Sequence, residues 1–429
     1  MRHRSTERPP AKADIDRIVR EGAAVDDESR FRQFVRRMQK AFFLDVKNRS
    51  LPARKRLVEQ YRKDGLVLFL GAGVSSGSGI PNWPELADKL LLKSGVKSTD
   101  LNAVKKALPS YITQFELVGE LLGTRRRLVE EIYRGLYARM ECRPQLMEIP
   151  RKYEEQRGWH GWGNVFKALQ ANKTLKAVGD LLIDSDSAEI RRNPQIHAVL
   201  TFNADNLLEI YCAAKAGGKR ILTLVDRASV GEHPDETPVY HLHGTLDGRG
   251  ENFLRRFPAA VPPGELQEIT DDLLPDLIFR ESEYYETIAN PASFVNHTPQ
   301  SFLRRLNALF IGTSLEDLNM RRWLYDSFRE RVRHRIKYLR EFYMKKYPEA
   351  EYEAELESRR HFWLRPEIER NKDGRPWRVP KKHVERVMRN LGVQVIWCKD
   401  YDDMRSCIYE VQMLGRNAEF GRRAAEFPN

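Results

Sequence analysis

The run Leu66-Val67-Leu68-Phe69-Leu70, followed at once by Gly71-Ala72-Gly73, constrains this chain more than any other feature. Five apolar residues are too few for a buried helix but enough for a strand covered on both faces, and the glycine behind them ends the run. Similar short runs recur at 198–201, 239–242, 308–311 and 393–397, separated by segments with helical patterning. Strands alternating with helices predict an α/β layered fold with a mainly parallel sheet.

The spacing of these runs is uneven. More than a hundred residues separate the first two, and stretches such as 111–122 and 126–139 read as helical. That is too much for one crossover, so a helical subdomain is expected at about 84–195. A second insertion, about 321–382, is rich in Arg, Lys and Glu, opens with a long charged helix, and contains RRHFWL (359–364), which would supply a further strand. Residues 1–60 read as an N-terminal helical arm, in which Phe31, Phe34, Val35, Met38, Phe42 and Leu44 fall on one face. Such a stripe must be covered by the main domain or by another subunit. The main domain would run over 61–415 and a tail over 416–429.

Composition narrows the class. With 41% hydrophobic and 31% charged residues, and no apolar run near the roughly 20 residues of a bilayer span, no membrane association is expected. The start, MRHRSTERPPAKADIDRIVREG, has no apolar core of the secretory kind, so a cytoplasmic location is expected. The four cysteines, Cys142, Cys212, Cys398 and Cys407, form no CxxC pair, which argues against a four-cysteine zinc site. The net charge of +12 has two readings, solvated helix faces or a surface for nucleic acid or another polyanion. The excess is spread along the chain, with clusters at 125–127 and 321–340, and this favours the first.

Four strand ends carry the polar chemistry. The first continues as GAGVSSGSGIPNW, Gly71 to Trp83. Glycines there allow a tight turn and a close approach of backbone to a pyrophosphate; equally, they could form a turn that only packs. The spacing is GxGxxxG, unlike the usual dinucleotide fingerprint, and no GKS or GKT follows, which disfavours an NTPase. The second strand ends in Thr201-Phe202-Asn203-Ala204-Asp205, where Asn203 or Asp205 could face a ligand or cap the helix that starts at Leu207. The third ends in His241-Leu242-His243-Gly244; strand alternation would put both histidines on one face, and either could be a general base or a satisfied structural residue. The fourth leads into Ile311-Gly312-Thr313-Ser314-Leu315-Glu316-Asp317, whose Ser or Thr could also cap the helix at Leu318. Together the four ends predict one crevice.

In this order the elements GAGVSSGSGIP, TFNAD, HLHG and IGTSL resemble the sirtuin family, within residues 66 to about 413. The resemblance implies a Rossmann-like parallel sheet with helices on both faces, NAD as substrate, and cleavage of the nicotinamide-ribose bond. By position it implies that Gly71, Ala72, Gly73 and Ser75 meet the pyrophosphate and Ile80 the nicotinamide pocket. Asn203 would hold the ribose or the attacking water, Asp205 the carboxamide, and His243 would act as base. Gly312, Thr313 and Ser314 would bind the adenosine side, with residues 399–401 as weaker candidates; His241 matches no catalytic position. Deacylases of the family usually carry GIPDFR where this chain has Gly79-Ile80-Pro81-Asn82-Trp83-Pro84, and a zinc ribbon with paired CxxC motifs that is missing here. The chain is thus similar to the sirtuin-like NADases of bacterial anti-phage defence, also in Glu283-Tyr284-Tyr285 and FIGTSLEDLNMRRWL. That branch implies NAD hydrolysis without zinc or another metal, homo-oligomerisation, and a HerA-type ATPase and DNA translocase or other sensor as partner. Protein deacylation or ADP-ribosyl transfer, and a catalytically quiet NAD- or nucleic-acid-binding subunit, are the alternatives.

Overall fold

The computed structural model describes residues 51–150, 153–156, 158–184, 190–225, 233–249, 277–342, 361–370 and 376–412. The apolar stripe at 28–46 and the tail at 416–429 lie outside these residues. The chain divides into a unit Met1–Leu57 and a unit Val58–Asn429. Of the first, only the beginning of the helix Leu51–Asp64 is described; the fold below is that of the second.

In chain order the strands are β1 Leu66–Leu70, β2 Ile183–Asp184, β3 Arg191–Arg192, β4 Ile196–Thr201, β5 Leu222–Val225, β6 Thr237–His241, β7 Ala308–Ile311, β8 His361–Pro366, β9 Ile368–Arg370, β10 Pro376–Arg378 and β11 Val393–Cys398. Seven of them form one sheet in the order β11-β8-β7-β1-β4-β6-β5, and every neighbouring pair is parallel. This is the expected Rossmann-like α/β architecture. The five expected strands are all in it, and the described part of RRHFWL, from His361, opens β8. Strand β5 was not foreseen: Leu222–Val225 is a four-residue edge strand with two half-buried members, too short and too mixed to stand out as an apolar run.

Helices cover both faces, as an all-parallel sheet requires. Val67 and Phe69 of β1 point into a core with Ala198, Leu200, Ala308, Phe310 and the helical Val295, Leu303, Trp323 and Leu324. Phe69 and Phe310 touch across β1 and β7 at 4.8 Å between ring centres. Leu66, Leu68 and Leu70 point the other way and are buried just as fully. The segment between β1 and β4 is mainly helical, from Trp83–Lys93 to Lys173–Leu182; it also holds the small antiparallel β2–β3 ladder, which its helical patterning did not announce. Asp180 ties it to the sheet's own helices, accepting from Tyr211 Oη (2.8 Å) and Lys215 Nζ (2.6 Å) of Leu207–Lys215, while its carbonyl accepts from Gln412 of the last helix, 401–412 (2.7 Å).

A long helix, Leu318–Phe342, opens the second expected insertion three residues early. No helix among the described residues is long and apolar enough to cross a membrane.

The topology places the site. From β1 the chain builds β4, β5 and β6 on one side and then returns to lay β7 against the other edge of β1. The order reverses between β1 and β7, and a crevice opens outside the carboxyl ends of strands at such a point.

Candidate active site

The glycine-rich loop and the loop after β7 are built into each other. Gly71 N–H donates to the Ile311 carbonyl (3.0 Å) and Gly73 N–H to that of Gly312 (2.9 Å). A Cβ on Gly71 would lie 2.6 Å from the Gly312 oxygen, and one on Gly73 would lie 2.9 Å from the Gly312 Cα. Gly312 itself has φ +69°, and a Cβ there would meet Val74 N at 2.7 Å. These glycines are therefore required by the contact between two strand ends, whatever ligand binds above them. Behind the loop, Asn172 caps the helix Lys173–Leu182 through Oδ1 and donates from Nδ2 to the Val74 carbonyl (2.9 Å) and Ser78 Oγ (3.0 Å). An asparagine a hundred residues downstream thus holds the loop; its capping role is legible in sequence, its second partner is not.

The TFNAD segment turns under the same loop. Asn203 N–H donates to Thr201 Oγ1 (3.0 Å), and Asn203 Nδ2 donates to the Gly71 carbonyl (3.2 Å) and Ser75 Oγ (3.3 Å). Those acceptors fix the amide's orientation. Among the described residues, Asn203 Oδ1 has no hydrogen-bond partner, although it is buried. Ser75 Oγ donates in turn to Asp205 Oδ1 (2.8 Å), which also accepts from Leu207 N (3.3 Å). The N-cap of Leu207–Lys215 is Asn206, so capping falls to neither Asn203 nor Asp205 as N-cap residue, although Asp205 holds the first helical amide. Burial pushes the Asp205 carboxyl up to about 6, against the hydrogen bonds from Ser75 and Leu207.

The two histidines do not share a face. Strand β6 ends at His241, so the pleat does not carry through to His243. His241 turns to Glu209 and the Asn203 carbonyl. His243 lies between aromatic edges, 4.6 Å from Phe202 and 5.2 Å from Tyr284 between ring centres. Burial alone pushes His243 down to about 3, so its ring is neutral at ordinary pH.

On the far wall, Thr313 Oγ1 accepts from Leu315 N (3.3 Å), and Leu315 adopts φ 54°, a left-handed conformation rare for leucine. The helix Leu318–Phe342 is held at its start by Asp317 Oδ1, which accepts from Met320 N (2.8 Å), not by Ser or Thr. Trp363 of β8 donates from Nε1 to the Thr313 carbonyl (3.0 Å). Asn82, at the position where deacylases carry an acid, caps the helix Trp83–Lys93 by accepting from Glu85 N (2.9 Å).

These parts enclose a cleft of about 420 Å³. Gly71, Ala72, Gly73, Asn203, His243, Gly312, Thr313 and Ser314 line it together. Ser75, Ile80 and Asp205 are buried and do not line it; Ser75 and Asp205 act on it through Asn203. Of 399–401 only Tyr401 reaches it. Lys399 N instead bonds Asp403, and Asp400 caps the last helix through Asp403 N.

Residues 197–364 match the model of the SIR2-like domain family. SIR2-like domains bind NAD, and the matched stretch holds Asn203, His243 and Gly312 to Ser314, in less than half of the 429 residues. It begins downstream of Gly71, so the glycine-rich loop lies outside the matched stretch and meets it through the contacts just described. No curated protein matches the sequence.

The sequence motifs left out several walls of the cleft. Tyr284 packs on His243, and its hydroxyl donates to Asp317. Trp363 carries the Arg365 guanidinium 4.6 Å above its ring, and Arg365 pairs with Glu369 at 2.8 Å. Tyr111 reaches in from the helical segment. No spacing in the sequence links these residues to the glycine-rich loop. The four cysteines are buried and form no disulfide among the described residues.

Proposed function

We propose that this chain hydrolyses NAD at the nicotinamide-ribose bond, giving ADP-ribose and nicotinamide. The observation that carries the reading is Asn203, which lines the cleft at the switch point together with a neutral His243 and whose buried Oδ1 has no partner among the described residues. A buried acceptor left bare costs roughly 1–3 kcal/mol, and a water or a ribose hydroxyl in the cleft would relieve that cost. The glycine-rich and Gly312-Thr313-Ser314 turns, joined at the β1/β7 edge, suit a dinucleotide's phosphates and adenosine side.

In this reading Asn203 holds a water toward C1' of the ribose. The C1'–N bond breaks with its electron pair leaving on nicotinamide, the water oxygen bonds to C1', and one water proton passes to the free imidazole of His243. Water is favoured as acceptor over an acyl-lysine because the sequence has no CxxC pair for a zinc ribbon and carries Asn82-Trp83-Pro84 in place of the deacylase residues.

The resemblance to bacterial defence NADases supports a role in depleting NAD during phage infection, with activity restrained by self-assembly or by a HerA-type partner in the cytoplasm. Incubating the purified protein with NAD alone, then with an acyl-peptide, tests the reaction. ADP-ribose and nicotinamide without peptide are expected. Nicotinamide release that needs the peptide would instead establish deacylation or ADP-ribosyl transfer.

A further inference from the structure

His241 is 1% exposed and corresponds to no residue to which the family resemblance gives a role. Its Nδ1 lies 2.9 Å from the Asn203 carbonyl oxygen and its Nε2 lies 2.6 Å from Glu209 Oε1. Both partners are acceptors. A neutral imidazole has one N–H and would set a lone pair against one of them, whereas the doubly protonated ring donates to both. The carbonyl it holds belongs to a residue that lines the cleft and whose buried Oδ1 has no partner among the described residues. The other anchors of Asn203 are its N–H on Thr201 and its Nδ2 on Gly71 and Ser75; none of them grips the carbonyl.

We infer that His241, as an imidazolium clamped by Glu209, is a positioning residue that fixes the Asn203 carbonyl and thereby holds Asn203 in place in the cleft wall. The consequence for turnover rests on the NAD-cleaving reading; the clamp itself does not.

The groups that face this pair agree with a charged ring. Burial alone would push His241 down, but Glu209, the Asn203 carbonyl and Asp205 together hold it above its ordinary value. Cys212, one turn along from Glu209, is kept as a thiol by burial. Tyr137 is kept as a phenol by burial and donates to the Leu246 carbonyl (2.6 Å). Asp247 is held by Arg249 (2.7 Å) and Asn206 (3.1 Å). The sign follows from a raised histidine: the clamp is complete below the folded-state pKa and lost as pH rises through it.

The test uses the full chain labelled with nitrogen-15. Two protonated ring nitrogens are expected for His241 at pH 7.5, assigned by their loss in His241→Gln, together with one set of Asn203 side-chain amide signals. On raising the pH, both sets should move with one common midpoint. Glu209→Gln should neutralise His241 at pH 7.5 and shift the Asn203 amide. It should also lower kcat for NAD cleavage roughly tenfold, the scale on which partners that orient a functional ligand act, with KM changed by less than about twofold and the alkaline limb of the pH profile moved to lower pH. A neutral His241 in the unsubstituted chain overturns the inference, as do Asn203 signals that ignore the titration or a pH profile left in place by Glu209→Gln. If Glu209→Gln does not fold, the joint titration in the unsubstituted chain decides. A chain that cleaves no NAD at all defeats the proposed function, and the resonances then judge the clamp independently.

Discussion

Asn203 donates its side-chain amide to the Gly71 carbonyl at 3.2 Å, and this bond, with the one to Ser75 Oγ at 3.3 Å, orients the carboxamide. Because Nδ2 is committed to the loop, Oδ1 is the end of the amide left without a partner among the described residues. The TFNAD segment and the glycine-rich loop, 132 residues apart, are thereby one device.

Asn203→Ala separates chemistry from stability. It removes the acceptor that would hold the reacting water, so NAD cleavage should fall roughly 100-fold or more, as when one oriented group of an active site is deleted. It also removes the bare buried acceptor, so the loss of stability should stay within about 1 kcal/mol. Product analysis and denaturant titration check the two halves; retention of full activity would remove Asn203 from the mechanism.

Gly312→Ala should act in the opposite way. The new methyl would lie 2.7 Å from Val74 N at φ +69°, against backbone that has no room to retreat. Left-handed strain and overpacking cost about 1–3 kcal/mol each, and the Gly71 to Val74 turn must shift. Lower thermal stability together with weaker NAD binding is expected, and a melting scan with and without NAD measures both.

His243 predicts an acid-sensitive fold. Its folded-state value is pushed from the ordinary 6.5 down to about 3 by burial, so between these values the unfolded chain binds the extra proton. Stability contributed by the neutral ring is present above about pH 6.5 and lost as pH falls toward 3, by up to about 1.4 kcal/mol per pH unit. His243→Phe should flatten that part of the stability profile and abolish NAD cleavage. An unchanged slope between pH 6 and 4 would contradict the buried neutral ring.

Asp205 has the reverse sign. Its carboxyl is raised from 3.8 to about 6, so the folded state binds the extra proton between these values, and folding is penalised as pH rises through them. Asp205→Asn keeps an oxygen to accept from Ser75 and Leu207 while discarding the buried charge. The variant should be more stable than the parent by about 1–3 kcal/mol above pH 7, with the difference vanishing below about pH 4. Urea titrations at pH 8 and pH 4 provide the comparison. A gain in stability paired with a loss of NAD cleavage would mark a charge kept for function.

Much of the sheet was legible because a strand buried on both faces leaves an uninterrupted apolar run, as in Leu66–Leu70 and Ala308–Ile311. Edge strand β5, half covered, left no such trace. The motif residues were legible because strand ends need turns, and turns need glycine and short polar side chains. Their division of labour was not. The spacing of Ser75, Asp205 and Asn203 does not say that the first two are buried behind the third, or that Asn172 locks the loop. Likewise, the alternation expected for His241 and His243 failed because the strand stops at His241 and the following turn rotates the next side chain.

By itself, then, the sequence determined the parallel α/β sheet, the four polar strand ends and their order along the chain, because local patterning and turn chemistry act over a few residues. Only the tertiary structure decided that β7 returns beside β1, that Asn203 lines the cleft with its Oδ1 buried, and that His243 sits neutral between Phe202 and Tyr284 while His241 faces Glu209. Those facts depend on burial and on contacts between residues tens to hundreds of positions apart, and no local pattern encodes which distant group will supply a hydrogen bond or exclude water.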